Sequence, residues 1–371
     1  MPLYLTEDQS MLRDTARELM AAEGSVANQL RKYRDIGCKD GFGHALWKQF
    51  AELGLTGILI DEADGGLGLG HVEAGIVLEE IGRNLTPSPF LITAVAVVEA
   101  LRGTAQRERW LPGILAGETV AALALDEGPK HRPEAIAMAA ERAGNGFRLS
   151  GNKQFVMQGA SADMIVVAAR TEEGLTLFAV EKDANGLDVE GVRLADASIG
   201  ARLGFRDVEV DADAVIGEVG QGEAVLGRVL AAGRAGAASE LVGLASGAMG
   251  MTVEYLKQRK QFGRLIGEFQ ALQHRAAHLY CELEIARAAA LKAQQLLDDG
   301  SEEAELMVSV AKAKAGRVST LAAQEGVQMH GGIGMTDEYD IGLYMKRDRV
   351  LNELFGDANY HADKVARLKE Y

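Results

Sequence analysis

The sequence predicts an α+β chain in three successive parts: a helical N-terminal domain over residues 1–118, a β domain over 119–218 and a helical bundle over 219–371. Three observations carry that expectation. Apolar residues recur at helical spacing through the first part, short β-rich runs set off by Gly, Asn and Asp follow Glu118, and long stretches rich in Ala, Leu, Glu and Lys return from Gly220. With 371 residues the chain can bury a pocket for a large ligand.

In "LTEDQSMLRDTARELMA", Thr6 and Gln9 stand at capping-box spacing, and Leu12, Ala16 and Leu19 share a face, so a helix should start near Thr6. "GHALWKQFAELGLTGI" and "HVEAGIVLEEIGRNL" repeat that period around the glycine-rich turn "DEADGGLGLG", with Pro87, Pro89 and Pro112 punctuating the rest. "FRLSGNKQFVMQG", "DMIVVAAR", "LTLFAVE" and "DVEVDADAVIG" read as strands, whereas residues 221–260, 268–298 and 302–329 have the length and composition of antiparallel bundle helices. "GLGLG" is not GxGxxG and follows no strand, which argues against a nicotinamide-binding Rossmann unit.

Charge and cysteine usage narrow the partners. With 39 Lys and Arg against 54 Asp and Glu, the net charge of −15 opposes binding to nucleic acid or to anionic membranes. Cys38 and Cys281 show no metal-ligand spacing and fit a reducing compartment, so a cytoplasmic location is expected. The longest apolar run, "LITAVAVV", falls far short of a membrane span.

Two stretches of the C-terminal part suggest anion binding. In "YLKQRKQFGRLIGEFQALQH", a helix should deliver Arg259, break at Gly263 beside Phe262 and resume near Glu268; Arg259 and the following helix start suit a pyrophosphate. In "QMHGGIGMTDEY", Gly331, Gly332 and Gly334 permit a close backbone approach, while His330 reads as a core or cap histidine. Taken singly, these segments equally describe a basic helix rim and a helix C-cap.

In combination, Arg259, Gln261, Phe262, Gly263, Gln270 and the Gln328 loop with Gly331 and Gly332 resemble the acyl-CoA dehydrogenase family. The resemblance spans the chain, through "TEDQSMLRDTARELM", "ADGGLGLGHVEAGIVLEEIGRNL" and "WLPGILAGE". It implies a helical N-terminal domain, a β-barrel-like middle domain and a C-terminal four-helix bundle. It further implies FAD, a tetramer, an acyl-CoA thioester oxidised to the 2-enoyl form, and an electron-transfer flavoprotein as redox partner. Within the family the chain looks most like short bacterial subunits of the pimeloyl-CoA or steroid side-chain type.

That chemistry needs a carboxylate to take the α proton, which the family usually supplies from a Glu-Gly-Thr turn near the C-terminus. Here "FGD" occupies the turn. Counting from Gln328 puts Phe355 in the glutamate slot, and counting from Arg347 and Asp348 puts Gly356 there. The alternative family position, before an arginine on a bundle helix, holds Gly233 ahead of Arg234. Asp357 is then the candidate base, weighed against a simpler role as cap of the last helix.

The loop that the resemblance places beside the flavin and thioester reads "DEGPKHRP", where Lys130, His131 and Arg132 form either a solvated turn or a contact for CoA phosphates or a distal substrate carboxylate. Phe155 and Met157 stand where the family has a tryptophan and a threonine flanking the isoalloxazine. Residues that serve a neighbouring subunit's flavin in the family are thus retained, and those that serve the chain's own are changed. This split implies the base-free member of a heterotetramer with a homologous subunit, with a self-sufficient homotetramer as the alternative.

Overall fold

The computed structural model describes residues 3–371. Helices α1 (Glu7–Ala22), α2 (Lys32–Asp35), α3 (His44–Glu52), α4 (His71–Arg83), α5 (Val98–Leu101) and α6 (Arg107–Leu115) form the first part. The capping box at α1 is present: the Thr6 hydroxyl accepts from the Gln9 N–H at 3.2 Å, and the Gln9 side chain accepts from the Thr6 N–H at 3.0 Å. Pro112 does not end a helix but sits inside α6, whose last turn still closes when the Pro112 carbonyl accepts from the Ala116 N–H. The apolar run forms a fully buried π-helical segment, Phe90–Val97; its one hydroxyl, on Thr93, donates to the Ala121 carbonyl at 2.9 Å.

The middle of the chain is a single sheet of eight strands: β1 (Ala121–Ala124), β2 (Ala139–Ala143), β3 (Gly146–Met157), β4 (Met164–Thr171), β5 (Gly174–Glu181), β6 (Leu187–Arg193), β7 (Ile199–Val210) and β8 (Val215–Ile216). Their order is β6-β7-β3-β2-β4-β5-β8, with β1 parallel to β4. One face buries Leu149, Val156, Ile165, Val167 and Val180, and Phe147 meets Phe178 edge-on at 5.2 Å. Strand β3 carries register shifts between Leu149 and Gly151 and between Lys153 and Val156, the second of which contains Phe155.

Beyond the sheet run α7 (Gly222–Gln258), the two-stranded hairpin β9 (Lys260–Gln261) and β10 (Arg264–Leu265), then α8 (Gln270–Asp298), α9 (Ala304–His330), α10 (Ile341–Glu353) and α11 (Ala358–Leu368). Two compact units result. One takes the chain up to Arg31, His71–Thr86 and Arg234–Tyr371; the other takes Lys32–Gly70 and Pro87–Gly233. In the first unit α1 packs on α4, and α9 packs on α8, α10 and α11. Helices α4 and α7 approach so closely that a Cβ on Gly82 would lie 2.0 Å from the Glu240 carbonyl oxygen. Among the described residues no helix is long and apolar enough to cross a membrane.

Candidate functional site

Helix α7 does not simply break at Gly263, as the sequence suggests. The chain turns back as a hairpin with Gln261 opposite Arg264, and helix α8 starts at Gln270 rather than near Glu268. Phe262 and Gly263 form the two-residue loop, at φ of 54° and 78°. Positive φ at both central positions is the type I′ signature, which matches the twist of paired strands. Asparagine-glycine suits it best, and a phenylalanine in left-handed backbone costs about 1–2 kcal/mol. The Phe262 ring is nevertheless held 90% exposed. Arg259, Gln261 and Gln270 are exposed beside it.

The second motif lies against the first. At the end of α9, His330 stacks on Tyr255 of α7 at 4.3 Å and meets Tyr339 at 4.9 Å, which joins the glycine loop to the helix that delivers Arg259. His330 Nδ1 donates to the Gly326 carbonyl at 2.7 Å, and burial lowers its pKa, so it stands as a neutral core histidine. Gln328 is exposed on the last turn, and Gly331, at φ 65°, ends the helix. A Cβ built on Gly332 would meet no atom within 4 Å. Because Gly332 also has no positive φ, nothing in the chain itself requires a glycine there; the open face suits a ligand that approaches the backbone.

The "FGD" turn is closed by comparison. Phe355 is buried at φ 60° and Gly356 sits at φ 100°. A Cβ on Gly356 would fall 2.5 Å from Cδ1 of Tyr360, so of the two positions that the sequence leaves open for a glutamate, 355 alone accommodates a side chain. The Asp357 carboxylate accepts from the N–H groups of Asn359 at 3.0 Å and Tyr360 at 2.8 Å, which makes it the N-cap of α11. His361 Nε2 donates to the Phe355 carbonyl at 3.0 Å.

Two buried cations brace the turn from beneath. Arg234 Nε donates to the Phe355 carbonyl at 3.3 Å, and its guanidinium reaches the Tyr360 hydroxyl at 3.1 Å. Lys312 on α9 donates to the carbonyls of Asn352 at 3.0 Å and Gly356 at 2.9 Å, with a longer contact to Leu351. Burial, with Arg234 adding to it, lowers the Lys312 pKa to about 7. The anchoring pair from the sequence is structural: Arg347 binds Glu240, and buried Asp348 accepts from Thr320 and Asn352.

The second unit holds the remaining candidates. Phe155 lies in the β3 bulge at φ 53°, and Met157 beside it is buried. Lys153, fully buried on the same strand, donates to Glu127 at 2.8 Å and to the Leu125 carbonyl at 3.1 Å, and Gln154 holds the Asp126 carbonyl through its N–H at 2.7 Å. The bulge and the "DEGPKHRP" loop are therefore one structure. Lys153 and Gln154 escaped the sequence reading, since a lysine inside a strand normally signals a solvated face.

A helical first part, a bulged sheet and a helical last part with an open glycine loop and a braced turn make up the α+β architecture, and comparison with known proteins gives the family. The acyl-CoA dehydrogenase N-terminal, middle and C-terminal domain models match residues 6–118, 126–208 and 220–369. The chain belongs to the acyl-CoA dehydrogenase family. It is 34% identical over 327 residues to a mitochondrial isovaleryl-CoA dehydrogenase of Solanum tuberosum, covering 83% of this chain and 78% of that one. It is 32% identical to the cyclohex-1-ene-1-carbonyl-CoA dehydrogenase of Geobacter metallireducens, covering 96% of both. A solved variant of the Tcur3481-Tcur3483 steroid ACAD is 30% identical, covers 98% of each chain and superimposes with a TM-score of 0.90.

Proposed function

We propose that this chain is the base-free subunit of a heteromeric, FAD-dependent acyl-CoA dehydrogenase that completes its partner's flavin site. The family assignment carries the activity: oxidation of an acyl-CoA thioester between its α and β carbons. FAD supplies the acceptor for the hydride that leaves the β carbon. The residues of this chain fit the nucleotide half of that cofactor. Arg259 offers a bidentate fork for the diphosphate, Gln261 and Gln328 offer amides, Gln270 opens the next helix, and Gly331 and Gly332 leave their backbone approachable. Phe155 offers an aromatic face on the isoalloxazine side, but buried Met157 beside it provides no hydroxyl donor.

The observation that carries the base-free reading is the turn. Position 355 holds a buried phenylalanine, position 356 rejects a side chain, and Asp357 caps α11. A carboxylate engaged by two backbone N–H groups is poorly placed to take a proton from a thioester. A partner subunit of the same family then supplies the base, and an electron-transfer flavoprotein takes the electrons. The likeness to the Tcur3481-Tcur3483 steroid ACAD, whose name pairs two chains, supports the heteromer. The competing reading, a homotetramer that uses Asp357, rests on Asp357 being the turn's sole carboxylate.

Flavin content per chain separates the two. Little flavin on expression alone, and one flavin per pair with a neighbouring family subunit, is expected. One flavin per chain when alone, reduced on adding an acyl-CoA and insensitive to a partner, overturns the proposal.

A further inference from the structure

Within the first compact unit, a cavity of about 460 Å³ lies among α1, α4, α7 and α8. Val72, Ile76, Val242, Ala288 and Leu291 give it an apolar wall, and Leu3, Tyr4 and Leu5 complete the lining. That volume is ordinary for a small-molecule site. Two polar side chains also line it, Ser239 of α7 and Gln294 of α8, which are 5% and 4% exposed. The Gln294 amide nitrogen donates to Ser239 Oγ at 2.6 Å. Among the described residues the Ser239 hydroxyl then has no acceptor and Gln294 Oε1 no donor, although buried polar groups normally find partners.

A third helix makes room for this pair. A Cβ on Gly75 of α4 would lie 1.8 Å from Gln294 Nε2, and Gly75 has no positive φ. Glycine is disfavoured inside a helix, so the amide and not the backbone requires it here. The charges around the cavity are settled among themselves. Glu80 binds Arg17 at 2.8 Å and Arg83 at 3.2 Å, and Glu79 binds Arg83 at 3.4 Å and Arg287 at 3.1 Å. Glu284 also binds Arg287, and Arg13 binds Asp14 at 2.9 Å. Every charged group of the lining faces its opposite, so an ionic ligand would give up hydration for no counter-charge.

We propose that this cavity binds a neutral aliphatic molecule that ends in a carboxamide. The ligand's carbonyl accepts from the Ser239 hydroxyl, its N–H donates to Gln294 Oε1, and its carbon chain lies on the apolar wall. A carboxylate or a tertiary amide can only accept, which leaves Gln294 Oε1 unmatched. The site shares no residue with the Arg259 hairpin, the Gly331 loop or the "FGD" turn, and the inference does not rest on the heteromer.

Ligand-observed NMR titration of the full-length chain with hexanamide, hexanoate and N,N-dimethylhexanamide tests it without flavin or turnover. Hexanamide should bind about tenfold or more tightly than either of the others, as expected for two matched hydrogen bonds. S239A/Q294M replaces both members of the internal bond with apolar groups of similar size and should erase that preference. A288W fills the cavity and should abolish hexanamide binding. Hexanoate or N,N-dimethylhexanamide binding as tightly as hexanamide, or no hexanamide binding at all, overturns the proposal. So does a preference that survives S239A/Q294M, or a hexanamide affinity that A288W leaves unchanged. The two variants act independently, so if one fails to fold the other decides.

Discussion

The Phe262 hairpin and the Phe355 turn carry the same backbone feature to opposite ends. Each places a phenylalanine at positive φ next to a glycine at positive φ. At the hairpin the ring stands in solvent, the flanking Arg259 and Gln261 are exposed, and Gly332 of the neighbouring motif faces open space. At the turn the ring is buried, the glycine touches Tyr360, and Arg234, Lys312 and His361 grip the carbonyls. On the function proposed above, strain kept at an exposed tip serves something outside the chain, while strain kept in a braced interior preserves the shape of a turn that holds no base.

The sharpest way to break the comparison is to cut the brace. Lys312→Met leaves the Asn352 and Gly356 carbonyls without their donor and should lower stability by about 2–4 kcal/mol in urea denaturation, the cost of stranding buried acceptors. Its pH dependence follows from the lowered pKa. Between about 7 in the folded chain and the ordinary 10.5, the unfolded chain holds the extra proton, so Lys312 makes stability rise with pH across that window. Its penalty is fully present below pH 7. The wild type should therefore gain on Lys312→Met by up to about 1.4 kcal/mol per pH unit above neutrality; parallel profiles would remove the brace from the account.

Alanine at the two glycines sharpens the contrast. Gly356→Ala should cost about 2 kcal/mol or more, from positive φ and the clash with Tyr360, whereas Gly332→Ala should change chain stability by less than about 0.5 kcal/mol and lower flavin retention. Phe355→Glu, at the position that admits a side chain, should confer exchange of the thioester α proton with deuterated solvent, followed by NMR. Asp357→Ala should cost about 1 kcal/mol through loss of the cap and leave any exchange unaltered. The smallest effect is a gain: Phe262→Asn gives the hairpin its preferred loop and should raise stability by up to about 1 kcal/mol while weakening flavin retention.

Local signals made much of this legible in the sequence. Thr6 and Gln9 fixed the start of α1, and the long Ala and Leu rich stretches fell on α7, α8 and α9 within a few residues. Strands β1, β2 and β6 were missed because Ala121–Ala124 and Ala139–Ala143 lack β-branched residues and Leu187–Arg193 is largely exposed. The hairpin read as a helix break because QFGR has the glycine of the usual two-residue loop but a phenylalanine in place of the asparagine. "AKAKAG" shows the deeper limit: Lys312 is fully buried beneath the turn and Lys314, two residues on, pairs with Glu282, yet both carry the same local context. Which of two lysines goes inward is decided by where α10 and α11 lie, a tertiary fact that periodicity does not hold.

The exposed phenylalanine also bears on the life of an unassembled chain. A ring 90% in water at the tip of a hairpin is the kind of surface that chaperones and proteases recognise. If the heteromer proposed above holds, copies made in excess of the partner would be retained or cleared, and the cellular level of this chain would follow the supply of that partner.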